Sequence, residues 1–133
     1  MSKTHAFRVS PGKDLRKEIA FFVEGHHIQA GWIASAVGSL TDYHIRFANQ
    51  PEGRKDSGHF EIVSLAGTVS IHGSHLHISI SDDAGRTIGG HLLNENIIYT
   101  TAEIIIQESE RLIFDREQDD KTNSKELVVK KKN

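Results

Sequence analysis

"GSHLHISISDDAGRTIGGHLL", residues 73–93, is two alternating stretches on either side of a polar, glycine-bearing turn. In "SHLHISIS" a period of two sets Leu76, Ile78 and Ile80 on one face and His75, His77, Ser79 and Ser81 on the other, which is a half-buried strand. "DDAGR" suits a three-residue loop, Asp83-Ala84-Gly85, with Gly85 in the left-handed conformation and Asp82 and Asp83 stabilising the turn. Counting outward from Ala84 makes His91 the partner of His77, and directly opposed residues on one face hold their Cβ atoms about 4.5–5.5 Å apart. Three imidazoles, from His75, His77 and His91, then converge. Gly89 and Gly90 fit a close backbone approach or a bulge beside His91, and a bulge there would turn His91 away.

Such a trio has the composition of a metal site. Zinc accepts imidazole nitrogens, and three protein ligands with an open fourth position is the pattern of catalytic zinc. With no cysteine in the chain, a metal must be held by His, Asp or Glu, and disulfides are excluded. The competing reading is the polar face of a half-exposed hairpin, since a chain with nine histidines produces a strand-spaced pair easily.

Working outward, "IIYTTAEIIIQ" and "HFEIVSLAGTVSI" are strands, the second with a bend or bulge expected at Gly67. "AFRV" is a short first strand, and Asp14 after "SPGKD" is an N-cap. Leu15, Ile19, Phe22 and Val23 then fall on one face of a helix, with Gly25 at the C-cap. Gly31 to Val37 is read as a strand packed on that helix, in competition with a helical reading from its alanines, and "TDYHIRFA" alternates as another strand. "NQPEGRKDSG" is a surface loop. Together these give an α+β fold, a largely antiparallel sheet packed against one main amphipathic helix, in a single domain over residues 1–115. Residues 116–133 are read as a charged C-terminal tail without apolar periodicity.

The chain's 133 residues fit one compact domain, and 37% hydrophobic with 26% charged residues is ordinary for a packed globular protein. No apolar run approaches the roughly 18–20 residues of a membrane span, and the N-terminus lacks a signal-peptide pattern, so a cytoplasmic protein is expected. The net charge of −2 disfavours nucleic-acid binding by the folded body, although the basic ending "KELVVKKKN" is available to an anionic partner.

"FEIVSLAGTVS", "HLHISISDDAGRTIGGHLL" and "IYTTAEIII", with the upstream run "FRVSPGKDLRKEIAFFVEGHHIQAGWIASAVGSLTDYHIRFA", resemble the plants-and-prokaryotes conserved domain, or PPC domain, over about residues 6–114. The resemblance is to its stand-alone prokaryotic type. It implies an α+β domain assembling as a homotrimer, with zinc, one per subunit, on His75, His77 and His91. In plant members the domain follows AT-hook motifs that grip the DNA minor groove. This chain contains no Arg-Gly-Arg-Pro hook, so DNA is a weakly supported partner.

Two carboxylates inside strands, Glu61 and Glu103, are candidates for orienting a ligand or assisting at a metal, against a solvated or interface role. Arg8 and Arg46 are candidates for an anion in a subunit cleft, against ordinary ion pairing. His26, His27, His44, His59 and His72 lack a paired spacing with the hairpin, though His59 and His72 approach the site if their strands neighbour it. Three functions follow: a zinc-binding trimeric regulatory or DNA-associated interaction module, a metal-dependent enzyme of unknown substrate with an open three-histidine site, and a DNA-binding protein.

Overall fold

The computed structural model describes residues 2–133. Strand and helix follow in the order β1 (Ser2–Val9), α1 (Leu15–Gly25), β2 (Gly31–Arg46), β3 (Arg54–Val69), β4 (His75–Ser81), β5 (Thr87–Leu92), β6 (Ile97–Ser109), β7 (Leu112–Asp119) and β8 (Ser124–Lys131). The first six strands form one antiparallel sheet in the order β1-β6-β2-β3-β4-β5, and the end of β2 also pairs with β5. That extra pairing curls β2 through β5 back on themselves. The fold is α+β, as expected, and among the described residues no helix is long and apolar enough to cross a membrane.

Helix α1 starts where Asp14 accepts from the backbone N–H of Lys17 through Oδ1 at 3.2 Å, and its Oδ2 ties the cap to the N–H of Glu95 at 2.6 Å. Leu15, Ile19 and Val23 are its buried face and join one core with Leu40, Ile45, Ile78, Ile80, Ile98, Ile104 and Ile106. Each such fully buried aliphatic side chain is worth about 1.5–3 kcal/mol. The helix ends differently from the expectation at Gly25. His27 holds the left-handed conformation, φ 50°, while the N–H of Ile28 donates to the carbonyl of Val23 and that of His27 to Glu24. This is a Schellman cap in which a histidine occupies the position that favours glycine.

The segment 31–46 is one 16-residue strand with no helix, and three register shifts along it absorb its small residues. The surface loop is shorter than "NQPEGRKDSG", because Arg54 already opens β3. Gly67 has φ 137° within unbroken register, and the irregularity in the β3–β4 pairing lies between Ile62 and Ser64 instead.

The charged segment 116–133 is not the frayed tail its composition suggests. Residues 112–131 form the hairpin β7–β8, paired from Leu112↔Lys131 to Asp119↔Ser124, so the boundary placed at residue 115 falls inside a strand. The N–H of Phe114 donates to the carbonyl of Gln29 at 2.8 Å, anchoring this arm to the sheet domain. Ion pairs from Lys130 to Asp115 and Glu117, at 2.8 and 3.2 Å, run across the arm. An arm held by backbone pairing and charge has little apolar periodicity to read.

Candidate metal centre

The β4–β5 hairpin closes in the register counted from its turn. Ser81 opposes Thr87, His77 opposes His91, and Gly85 has φ 79°. Asp82 accepts through Oδ1 from the N–H groups of Ala84 and Arg86, both at 2.9 Å, which fixes the turn. Leu76, Ile78 and Ile80 are buried, so alternation turns His75 and His77 outward. No bulge intervenes before His91. Gly90 instead allows β5 to cross β2, since a Cβ there would collide with the carbonyl oxygen of Arg46.

The rings of His75 and His77 have centroids 4.9 Å apart, His75 and His91 5.4 Å, and His77 and His91 5.8 Å. One nitrogen from each lies within 4.8 Å of the others. A tetrahedral zinc with about 2.0–2.1 Å bonds sets nitrogens about 3.4 Å apart, so the rings must close by roughly an ångström. Rotation of the exposed His75 and His77 supplies that movement, because among the described residues no hydrogen bond commits any of the three rings. Burial, then Arg46, His75 and His77, hold His91 down from its ordinary 6.5 to about 4. His75 is also lowered, by burial first and then by His77 and Arg116. Neutral imidazole is the metal-binding form, so the donor set fits zinc.

The histidines open onto a cleft of about 730 Å³, also lined by Arg46, His72, Arg116 and Glu126. Its walls come from three parts of the chain. Arg46 ends β2 opposite His91. Arg116 in β7 donates through Nη2 to Thr68 Oγ1 at 3.1 Å, and Thr68 is the partner of His75 in β3–β4. Glu126 comes from β8, close enough to His75 for its charge to oppose the lowering.

Other candidates lie elsewhere. Arg8, on the edge strand β1, donates to Thr101 Oγ1 and the Thr100 carbonyl of the neighbouring strand β6, at 3.0 and 2.9 Å. Glu103, exposed, stands opposite Arg8 and Val37 and does not line the cleft. Glu61 opposes Ser81 at the far end of β4 and lines a different groove with Tyr99 and His59, whose rings stack at 4.7 Å. His44 hydrogen-bonds the Asn94 carbonyl through Nδ1 at 2.8 Å, and His26 stacks on Phe22 at 3.9 Å. Arg116 and Glu126 were hidden within a segment read as solvated. The available signal was weak: the apolar run Leu127-Val128-Val129 in an otherwise charged stretch.

An antiparallel sheet packed on one helix, with three histidines gathered on one hairpin at the mouth of a cleft, defines an α+β domain with a candidate metal centre. The chain belongs to the Plants and Prokaryotes Conserved (PCC) domain family, whose model matches residues 1–110. It is 40% identical, over 97% of its length, to the bifunctional protein GlmU of Synechococcus sp. (strain JA-3-3Ab), but spans about a fifth (21%) of that relative. Among solved structures it is similar to a hypothetical protein from Salmonella enterica, at 34% identity and TM-score 0.97, covering 100% of this chain and 96% of that one. A metal-containing protein from Archaeoglobus fulgidus is 28% identical, with TM-score 0.80 and coverage of 95% and 93%.

Proposed function

We propose that this chain is a zinc-binding, homotrimeric regulatory or interaction module in which His75, His77 and His91 hold one zinc per subunit. The observation that carries the reading is the gathering of three ring nitrogens within 4.8 Å on one face of a hairpin whose register sets His77 against His91. The metal content of the Archaeoglobus relative supports it. When bound, zinc would cross-link β4 to β5 and offer a Lewis-acidic open position to the cleft. The chain's own contribution is to keep His91 neutral and to fix the hairpin. Exposed apolar side chains on three adjacent strands, Trp32 and Val37 of β2, Val63 of β3 and Tyr99 of β6, support self-association.

A second reading, a metal-dependent enzyme of unknown substrate, is favoured by the cleft itself, whose volume lies in the range of small-molecule sites. DNA binding has less behind it: the net charge is −2, and Lys130, one of the four lysines of the basic ending, is paired with Asp115 and Glu117.

Native mass spectrometry of untagged protein tests the first reading. Three chains carrying three zinc ions are expected, with a lower melting temperature after chelation. A monomer, or a metal-free protein that stays so when zinc is supplied, would contradict it.

A further inference from the structure

We infer that the cleft beside the three histidines is an oxyanion-binding site in which Arg46 and Arg116 grip a carboxylate or phosphate group of a small molecule. The molecule's other end would reach the histidine cluster, and to that extent the inference rests on the metal reading.

Sheet register sets Arg46 beside the cluster, and a side-chain hydrogen bond ties Arg116 to the strand on the other side of β4. Arg46 is the direct partner of His91. Arg116 is bound to Thr68, the direct partner of His75. Gly73 lies against the Arg116 stem, where a Cβ would approach Cγ to 3.2 Å, and the side chain is half-buried. Its guanidinium is thus held in place before any ligand arrives, which lowers the entropy cost of binding. Among the described residues neither arginine is in an ion pair, whereas Lys55 and Lys130 both are.

Charge points the same way. Counting Arg46, Arg116 and Lys125 against Glu126, with the histidines counted as neutral, the lining of the cleft carries three positive charges and one negative, a net of +2, before any metal is added. A protein with a net charge of −2 therefore concentrates positive charge at the mouth of its metal site. A guanidinium presents a planar fork matched to carboxylate and phosphate oxygens, which explains arginine rather than lysine at both positions. The β7–β8 arm supplies Arg116 and Glu126, so it serves as one wall of the binding site.

The test is calorimetric titration of stoichiometrically zinc-loaded and chelator-treated protein with malonate and with inorganic phosphate, the two arms separating a carboxylate from a phosphate ligand. The variants are Arg46→Gln, Arg116→Gln and Arg116→Lys, with Arg86→Gln on the distant turn as control. At least one anion binds the wild type, each Gln variant weakens it about ten- to hundredfold, and Arg116→Lys, which keeps the charge but loses the fork, falls between. Metal content stays unchanged in all of them, and Arg86→Gln binds as the wild type does. Binding of neither anion to zinc-loaded protein, or equal binding by the Gln variants, overturns the inference and leaves the metal reading standing. Protein that takes up no zinc fails the metal reading, while anion binding that still depends on both arginines upholds the pair on its own.

Discussion

His77 and His91 face each other across the β4–β5 hairpin as a directly opposed pair, with ring centroids 5.8 Å apart and His75 two residues along the same strand. Replacing His91 or His77 with Ala removes a ligand outright. The expected loss of zinc affinity exceeds the roughly 10- to 100-fold effect of removing a partner that merely orients a ligand. Competition titration against a chelator of known affinity reads this, and a loss below tenfold would mean that the histidine is not a ligand.

Gly90 sets where His91 stands, because β5 crosses β2 with no room for a side chain against the Arg46 carbonyl. Gly90→Ala should force the strands apart, costing about 1–3 kcal/mol of stability and weakening zinc binding without touching a ligand. Urea unfolding together with metal titration checks both effects.

Acid should act on the same residues. His75 and His91 are held below their ordinary value in the fold. Between pH 6.5 and about 4 the unfolded chain therefore binds more protons than the folded one. Stability of the metal-free protein is fully present above about pH 6.5 and declines as the pH falls toward 4. His91→Gln should flatten that slope in denaturation midpoints measured from pH 7 to 4.5, and an unchanged slope would assign the acid loss to other groups.

His27 closes α1 in a left-handed conformation that glycine adopts more readily. His27→Gly should stabilise the protein by about 0.5–1 kcal/mol, leaving metal binding unchanged. Asn96 behaves in the opposite sense. Fully buried, it accepts from the N–H of His44 at 2.9 Å and donates to the carbonyls of His44 and Leu93 at 3.0 and 2.7 Å. Asn96→Ala strands those backbone groups and should cost about 2–4 kcal/mol in denaturant unfolding.

Much of this was legible because the deciding information was local. A strict alternation and one turn set the register of His77 against His91, and the Asp14 cap with the spacing of Leu15, Ile19 and Val23 defined the helix. What escaped was decided at a distance. Strand β2 looks ambiguous since its alanines and glycines are selected by the crossing with β6, where Gly38 lies against Thr101 and Ala102. Arg116 and Glu126 reach the cleft only when the β7–β8 arm folds back, and an arm stabilised by main-chain pairing and surface charge leaves no hydrophobic period behind. Glu61 and Glu103 take the solvated alternative their strands offered, because a carboxylate within an apolar strand marks an exposed face as readily as a site.

The most direct measurement is elemental analysis of the untagged protein beside the triple variant His75→Ala, His77→Ala, His91→Ala, each first exposed to zinc and then freed of excess. About one zinc per chain in the wild type and none in the variant is the predicted result. Equal metal in both, or none in either, would contradict a three-histidine centre and leave the hairpin as a polar strand face.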